Sequence, residues 1–139
     1  MFKKILNAND GSDPAFKALA LALDLARQNG SELHMASVEE VVSFPELIAE
    51  VESDRQAADR HYKHVLKRAK TMAAEKDVRL QTHVLVGHPV RSIIDLAAEL
   101  GADLLVIGAT GHSALYERML GSRADGVIQL ASCPVLVVK

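Results

Sequence analysis

The chain contains no tryptophan, and its aromatic residues are three phenylalanines and two tyrosines. So few rings leave no platform on which exposed bases stack. No single sign of charge dominates either. Lysine and arginine number 16 against 18 aspartates and glutamates, and the two signs are mixed along the chain. The basic stripe that marks a nucleic-acid surface is missing, so no nucleic-acid partner is expected. The single cysteine, Cys133, has no second thiol to pair with, which fits a reducing compartment. Its expected role is that of a small packed hydrophobe. No apolar run approaches the roughly 20 residues that span a bilayer, so no membrane association is expected. Met1 to Leu6 carries two lysines, but Asn7, Asn9 and Asp10 interrupt it at once. No secretory signal is expected, and the expected location is the cytoplasm.

What is present describes one ordinary globular domain, residues 1–139. The hydrophobic share is 49% and the charged share 24%, which favours a packed core over disorder. Strand-like and helix-like segments alternate throughout. Lys3 to Asn9 reads as a strand. Asp13-Pro14 then reads as a helix cap with proline at the first helical position, in a helix stopped by Gly30. Glu32 to Val38 is a second strand. Phe44, Leu47, Ile48 and Val51 share a helical face, and Ala58, Tyr62, Val65, Ala69 and Met72 continue it. Val78 to Val86 is a third strand. Gly87-His88-Pro89 turns into a helix carrying Val90, Ile93, Ile94 and Ala97, with His88 as a candidate cap and Gly101 as its end. Leu104 to Ile107 is apolar throughout, as a strand buried on both faces must be. A long connection, 109–120, holds a helical patch from Ala114 to Leu120. Ser122 to Ala131 is a last helix and Pro134 to Val138 a last strand. This order predicts right-handed crossovers and a parallel sheet covered by helices on both faces, an α/β doubly wound fold.

In such sheets ligands bind beyond the carboxyl ends of the strands, where the strand order reverses. Glycines and small polar residues gather after the fourth strand. Gly108 and Gly111 lie three apart directly behind it, and Gly121-Ser122 opens the last helix. Glycine lets backbone approach a ligand closely, and a helix start is a natural anion site. Two readings stand on spacing alone: two backbone cradles for a chain of phosphates, or a tight turn followed by a helix cap. Asp10 is likewise a ribose or metal contact, or a turn residue. His61 and His64, three apart, read as a solvated helix face, and His112 as a residue near phosphate or in open loop. No Walker A lysine pattern occurs, and no nucleophile–base arrangement can be placed, so no catalytic residue is assigned.

The stretch Gly108-x2-Gly111-x9-Gly121-Ser122 resembles the nucleotide motif of the universal stress protein family, G-x2-G-x9-G-(S/T). The resemblance extends to the opening strand into Asp10-Gly11-Ser12, the Gly87-His88-Pro89 turn, the strand from Asp103 to Ile107, and the ending from Ser132 to Val138. It implies a Rossmann-like, five-stranded parallel sheet of order 3-2-1-4-5, and membership of the branch that binds ATP. Carried over by position, Ala8, Asn9 and Asp10 line the adenosine end and Val38 lies against adenine. Gly108, Ala109, Gly111, Gly121 and Ser122 hold the phosphates, and Gly87 and Pro89 shape the neighbouring wall. Ile107, ending the fourth strand, and Arg123, beside Ser122, complete the candidate set.

The ligand expected is ATP, or else ADP or AMP, with Mg2+ as a companion on the phosphates. The sequence departs from the family at Asn9, where valine is common, and at Arg123-Ala124, where valine and a hydroxyl residue are usual. The resemblance also implies a homodimer through Pro134 to Val138, an apolar strand at a sheet edge. Three functions are weighed: a stress-response sensor or regulator, a slow ATPase or adenylate-handling enzyme in the same crevice, and an interaction module without tight nucleotide binding.

Overall fold

The computed structural model describes residues 1–40, 48–110 and 120–139. Five strands and four helices alternate among these residues: β1 (Lys4–Ala8), α1 (Asp13–Asn29), β2 (Glu32–Glu39), α2 (Ile48–Glu75), β3 (Leu80–Val86), α3 (Pro89–Leu100), β4 (Leu104–Gly108), α4 (Ser122–Leu130) and β5 (Val135–Val138). All strand pairs are parallel, and the sheet order is β3-β2-β1-β4-β5. The chain winds outward from β1 through β2 to β3, then returns to place β4 on the other side of β1. The reversal therefore falls between β1 and β4, with Ala8 and Gly108 at their carboxyl ends.

Side-chain alternation splits the core into two layers. Ile5, Leu33, Met35 and Val106 point to the face covered by α1 and α2, where they meet Leu19, Leu23, Val65 and Ala69. Leu6, Ala36, Leu105 and Ile107 point to the opposite face, against Ile93 and Leu96 of α3 and Val127 of α4. The central strands β1 and β4 are buried on both faces, which is why Leu104 to Ile107 reads as an unbroken apolar run.

Local signals account for most element ends, with some corrections. Ser12, not Asp13, caps α1: its Oγ accepts from the Ala15 N–H at 3.3 Å, while Asp13 and Pro14 already lie in the helix. His88 caps α3, its Nδ1 accepting from the Arg91 N–H at 3.4 Å. β3 starts at Leu80 rather than Val78, because Asp77 turns the chain with φ 55° and Val78 packs into the first core layer. Cys133 is half-buried against the second layer, and burial pushes its thiol pKa up. Phe44, Leu47, Gly111, His112 and the patch from Ala114 to Met119 lie outside the described residues, as do the side chains of Ile48, Val51 and Ala58. No described helix is long and apolar enough to cross a membrane.

Candidate functional site

A cleft of about 190 Å³ opens at the carboxyl edge of the sheet, between the starts of α3 and α4. Its floor continues the second core layer: Ala36 and Val38 from β2, Ile107 from β4, and Val90 and Ile93 from α3. Its rim is polar, with Asn9 and Asp10 after β1, Thr110 after β4, and Ser122 and Arg123 from α4. An apolar slot with a few convergent polar groups is the usual form of a small-molecule site.

The β1–α1 turn is held from several sides. Asn9 donates its N–H to Ala36 O at 2.8 Å, and its own carbonyl accepts from Ser37 Oγ at 2.7 Å. Asn9 Oδ1 accepts from the Gly11 N–H at 2.8 Å, and Asp10 Oδ1 from the Ser12 N–H at 3.0 Å. Both side chains thus shape the turn, the role Asn and Asp often take. Gly11 has φ 86°, and a Cβ there would lie 2.6 Å from His61 Cε1 and 2.8 Å from Val65 Cγ2. Helix α2 therefore packs directly on this turn. His61 Nε2 lies 2.9 Å from the Asp10 carbonyl, and the Tyr62 hydroxyl donates to the Val38 carbonyl at 2.8 Å. Burial, then the carboxylates of Asp10 and Glu39, raises the Tyr62 pKa above its ordinary value of 10.0, so the phenol stays a neutral donor.

The opposite wall is the start of α4. Gly121 occupies the capping position and offers no side-chain acceptor. The first N–H groups of a helix have no intrahelical partner, and the dipole adds partial positive charge there. Ser122, Arg123 and Ala124 of this turn all border the cleft. Gly121's own N–H is committed to the Ala109 carbonyl at 2.7 Å, and the Ala109 N–H to Val138 O at 2.9 Å. Ala109 thus ties the end of β4 to β5 and α4 and does not border the cleft. Arg123 is not free in solvent: its guanidinium pairs with the Glu40 carboxylate, just past β2.

Ten of the sequence-derived candidates line this one cleft. They are Ala8, Asn9, Asp10 and Val38 on the β1–β2 side, Pro89 and Ile107 in the middle, and Gly108, Gly121, Ser122 and Arg123 on the β4–α4 side. Gly87 borders a hollow next to it, with Glu40, His88 and Arg123. Gly111 lies outside the described residues. Gly108 carries a second constraint, since a Cβ there would meet the Pro14 backbone at 2.9 Å. Its lack of a side chain is accounted for by the packing of α1 on β4. Ala15, Ala36, Val90, Ile93, Thr110 and Val127 join the lining without having been singled out, as does Ala124, named only as a departure from the family pattern. Most belong to regular apolar patterns that read as core. No group of three metal-ligating side chains occurs among the described residues.

Comparison with known proteins agrees with this fold. A family model described as "Universal stress protein family" matches residues 1–139. The universal stress protein YxiE of Bacillus subtilis is 39% identical, with all of both chains covered. Among solved structures, the universal stress protein UspA from Lactobacillus plantarum superposes with a TM-score of 0.91 at 27% identity, covering 99% of this chain and 97% of that one. A universal stress protein in complex with cAMP gives 0.75 at 28% identity, covering 99% and 97%. The universal stress protein from Archaeoglobus fulgidus in complex with dAMP gives 0.69 at 25% identity, covering 100% and 98%. The chain belongs to the universal stress protein family.

Proposed function

We propose that the cleft binds an adenine nucleotide and that the protein is a stress-response regulator whose state depends on that nucleotide. The observation that carries this reading is the cleft itself. It joins an apolar slot at the β1–β4 reversal to the start of α4, which has no side-chain cap. A flat base suits the slot between Val38 and Ile107. Phosphates suit the first turn of α4, where N–H groups and the Ser122 hydroxyl converge. Two structurally similar family members are described with cAMP and dAMP, ligands that share adenine and one phosphate.

ATP is the ligand proposed, with Mg2+ carried on its phosphates. Asp10, which borders the cleft, is the carboxylate nearest to hand for the ribose or the metal. Gly108 and Gly111 complete the phosphate wall in this reading. ATP would favour one arrangement of the protein over another through differential affinity alone. The assembly proposed is a cytoplasmic homodimer through β5, the edge strand, whose residues pack inward on both core layers.

The deciding experiment is to denature the purified protein and identify released small molecules by mass spectrometry, then titrate ATP, ADP, AMP and cAMP into the refolded or nucleotide-free chain. The expected result is a released adenine nucleotide and saturable binding with ATP tightest. Neither a released nucleotide nor binding on titration would overturn the reading. Sedimentation at micromolar concentration reading a monomer would overturn the dimer.

A further inference from the structure

The Arg123–Glu40 pair links two elements 83 residues apart in sequence. Arg123 sits in the first turn of α4 and borders both the cleft and the neighbouring hollow, while Glu40 follows directly on β2. Both side chains are about half exposed, at 52% and 58%. A screened pair of this kind adds little to folding. The placement of Arg123 also runs against helix electrostatics. Cations are favoured at helix C-termini, and a guanidinium in the first turn adds to the positive end of the dipole. The first turn of α4 also carries Asp125, and Asp10 borders the cleft, but the carboxylate paired with the Arg123 guanidinium is Glu40.

We propose that Glu40 is an internal competitor for the ligand's phosphates. It holds Arg123 and is displaced when a polyphosphate draws the guanidinium away. The inference rests on the reading of the cleft as a nucleotide site. One terminal nitrogen of Arg123 donates to Glu40. A guanidinium binds carboxylate and phosphate with the same kind of N–H donor, so phosphates that draw Arg123 into the cleft compete with Glu40 for its position. A nucleoside without phosphate does not enter the exchange. Glu40 and Arg123 therefore set how steeply affinity rises with phosphate number, and leave affinity for adenosine unchanged.

The test is a double-mutant cycle read by calorimetric titration of ATP, AMP and adenosine, with thermal melts confirming that each variant folds. Glu40→Gln is expected to tighten ATP by about threefold, the scale of an exposed ion pair. Arg123→Gln is expected to weaken ATP about tenfold, the scale of one charge-assisted contact. Adenosine should move less than twofold in either variant. In the Arg123→Gln background, adding Glu40→Gln should gain almost nothing, because no guanidinium remains to be released. An equal gain in both backgrounds would show general repulsion and overturn the competition. No gain from Glu40→Gln alone, with ATP binding intact in the parent chain, would also overturn it. If the parent chain binds neither adenosine nor any nucleotide, the reading of the cleft fails first and the competition falls with it.

Discussion

Gly108→Ala isolates the packing of α1 on β4. A Cβ at 108 would lie 2.9 Å from the Pro14 carbonyl carbon, and 3.0 Å from both Pro14 O and Pro14 Cβ. Carbon atoms at rest sit about 3.5–4.0 Å apart, so roughly half an ångström or more must be found. Two of the three atoms are backbone in the first turn of α1, and they cannot rotate away. The helix must lift from the strand, and overpacking of this kind costs about 1–3 kcal/mol. For a domain near this size that is a fall in Tm of very roughly 3–12 °C.

Urea and thermal unfolding followed by circular dichroism measure the loss directly. Pro14→Ala should not rescue the variant, because it leaves the Cβ, carbonyl carbon and oxygen in place. Ala15 also borders the cleft, so the lifted helix should weaken ligand binding alongside stability. Stability within about 0.5 kcal/mol of the parent, the noise of a surface change, would refute the reasoning. It would show that α1 gives way without cost, and that Gly108 answers to something other than Pro14.

Gly126→Ala, inside α4, should behave oppositely: its Cβ meets the tip of Val90 at 3.1 Å, and alanine regains about 1 kcal/mol of helix propensity, so urea unfolding should show a neutral or stabilised variant. Asp103 accepts from the Lys3 and Lys4 N–H groups at 2.8 and 3.0 Å, bonds that hold its pKa below 3.8. Its stabilisation is present above that value and lost as pH falls through the folded pKa. Asp103→Ala should cost on the order of 1 kcal/mol at pH 7 and less at pH 3. Burial, then the neighbouring His34, lowers the His83 pKa below 6.5. The unfolded chain therefore takes up the proton first, and stability is full above 6.5 and falls as pH drops below it. The slope is at most about 1.4 kcal/mol per pH unit and is cut by solvent at this partly exposed ring. His83→Gln should flatten that fall below pH 6.5 in denaturant midpoints, and an unchanged slope would assign the loss elsewhere.

What could be read in advance depended on how far apart in sequence the deciding contacts lie. The continuous run from Leu104 to Ile107 announced a central strand because burial on both faces leaves no polar position. Alternating strands and helices announced the parallel sheet, whereas the strand order came from family resemblance, since periodicity carries no information on which strand lies beside which. Ser12 and Asp13 are both good caps, and one residue of helix phase decided between them. His61 looked like part of a solvated face because its neighbours in α2 are polar. Its contact is with the Asp10 carbonyl, 51 residues away, and no local spacing encodes that.

The site divides along the same line. Its polar rim follows strand ends, where topology predicts ligand contacts, and Asn9, Asp10, Ser122 and Arg123 stood out there while Thr110 did not. Its floor did not stand out, because Ala36, Val90, Ile93 and Val127 satisfy the core and the cleft with the same side chains. An apolar residue at the top of a core layer looks the same in sequence whether its last methyl faces protein or ligand. Gly108 shows the converse. It sits at the cleft and in the motif, yet the direction of its absent Cβ points at Pro14, away from any need for a ligand. Gly11 has the same property, with His61 and Val65 filling the space its side chain would take. A motif glycine is thus evidence first about which backbone must come close. At these two positions that backbone is turned toward α1 and α2, so the helices on one face of the sheet fix the turns that border a cleft on the other.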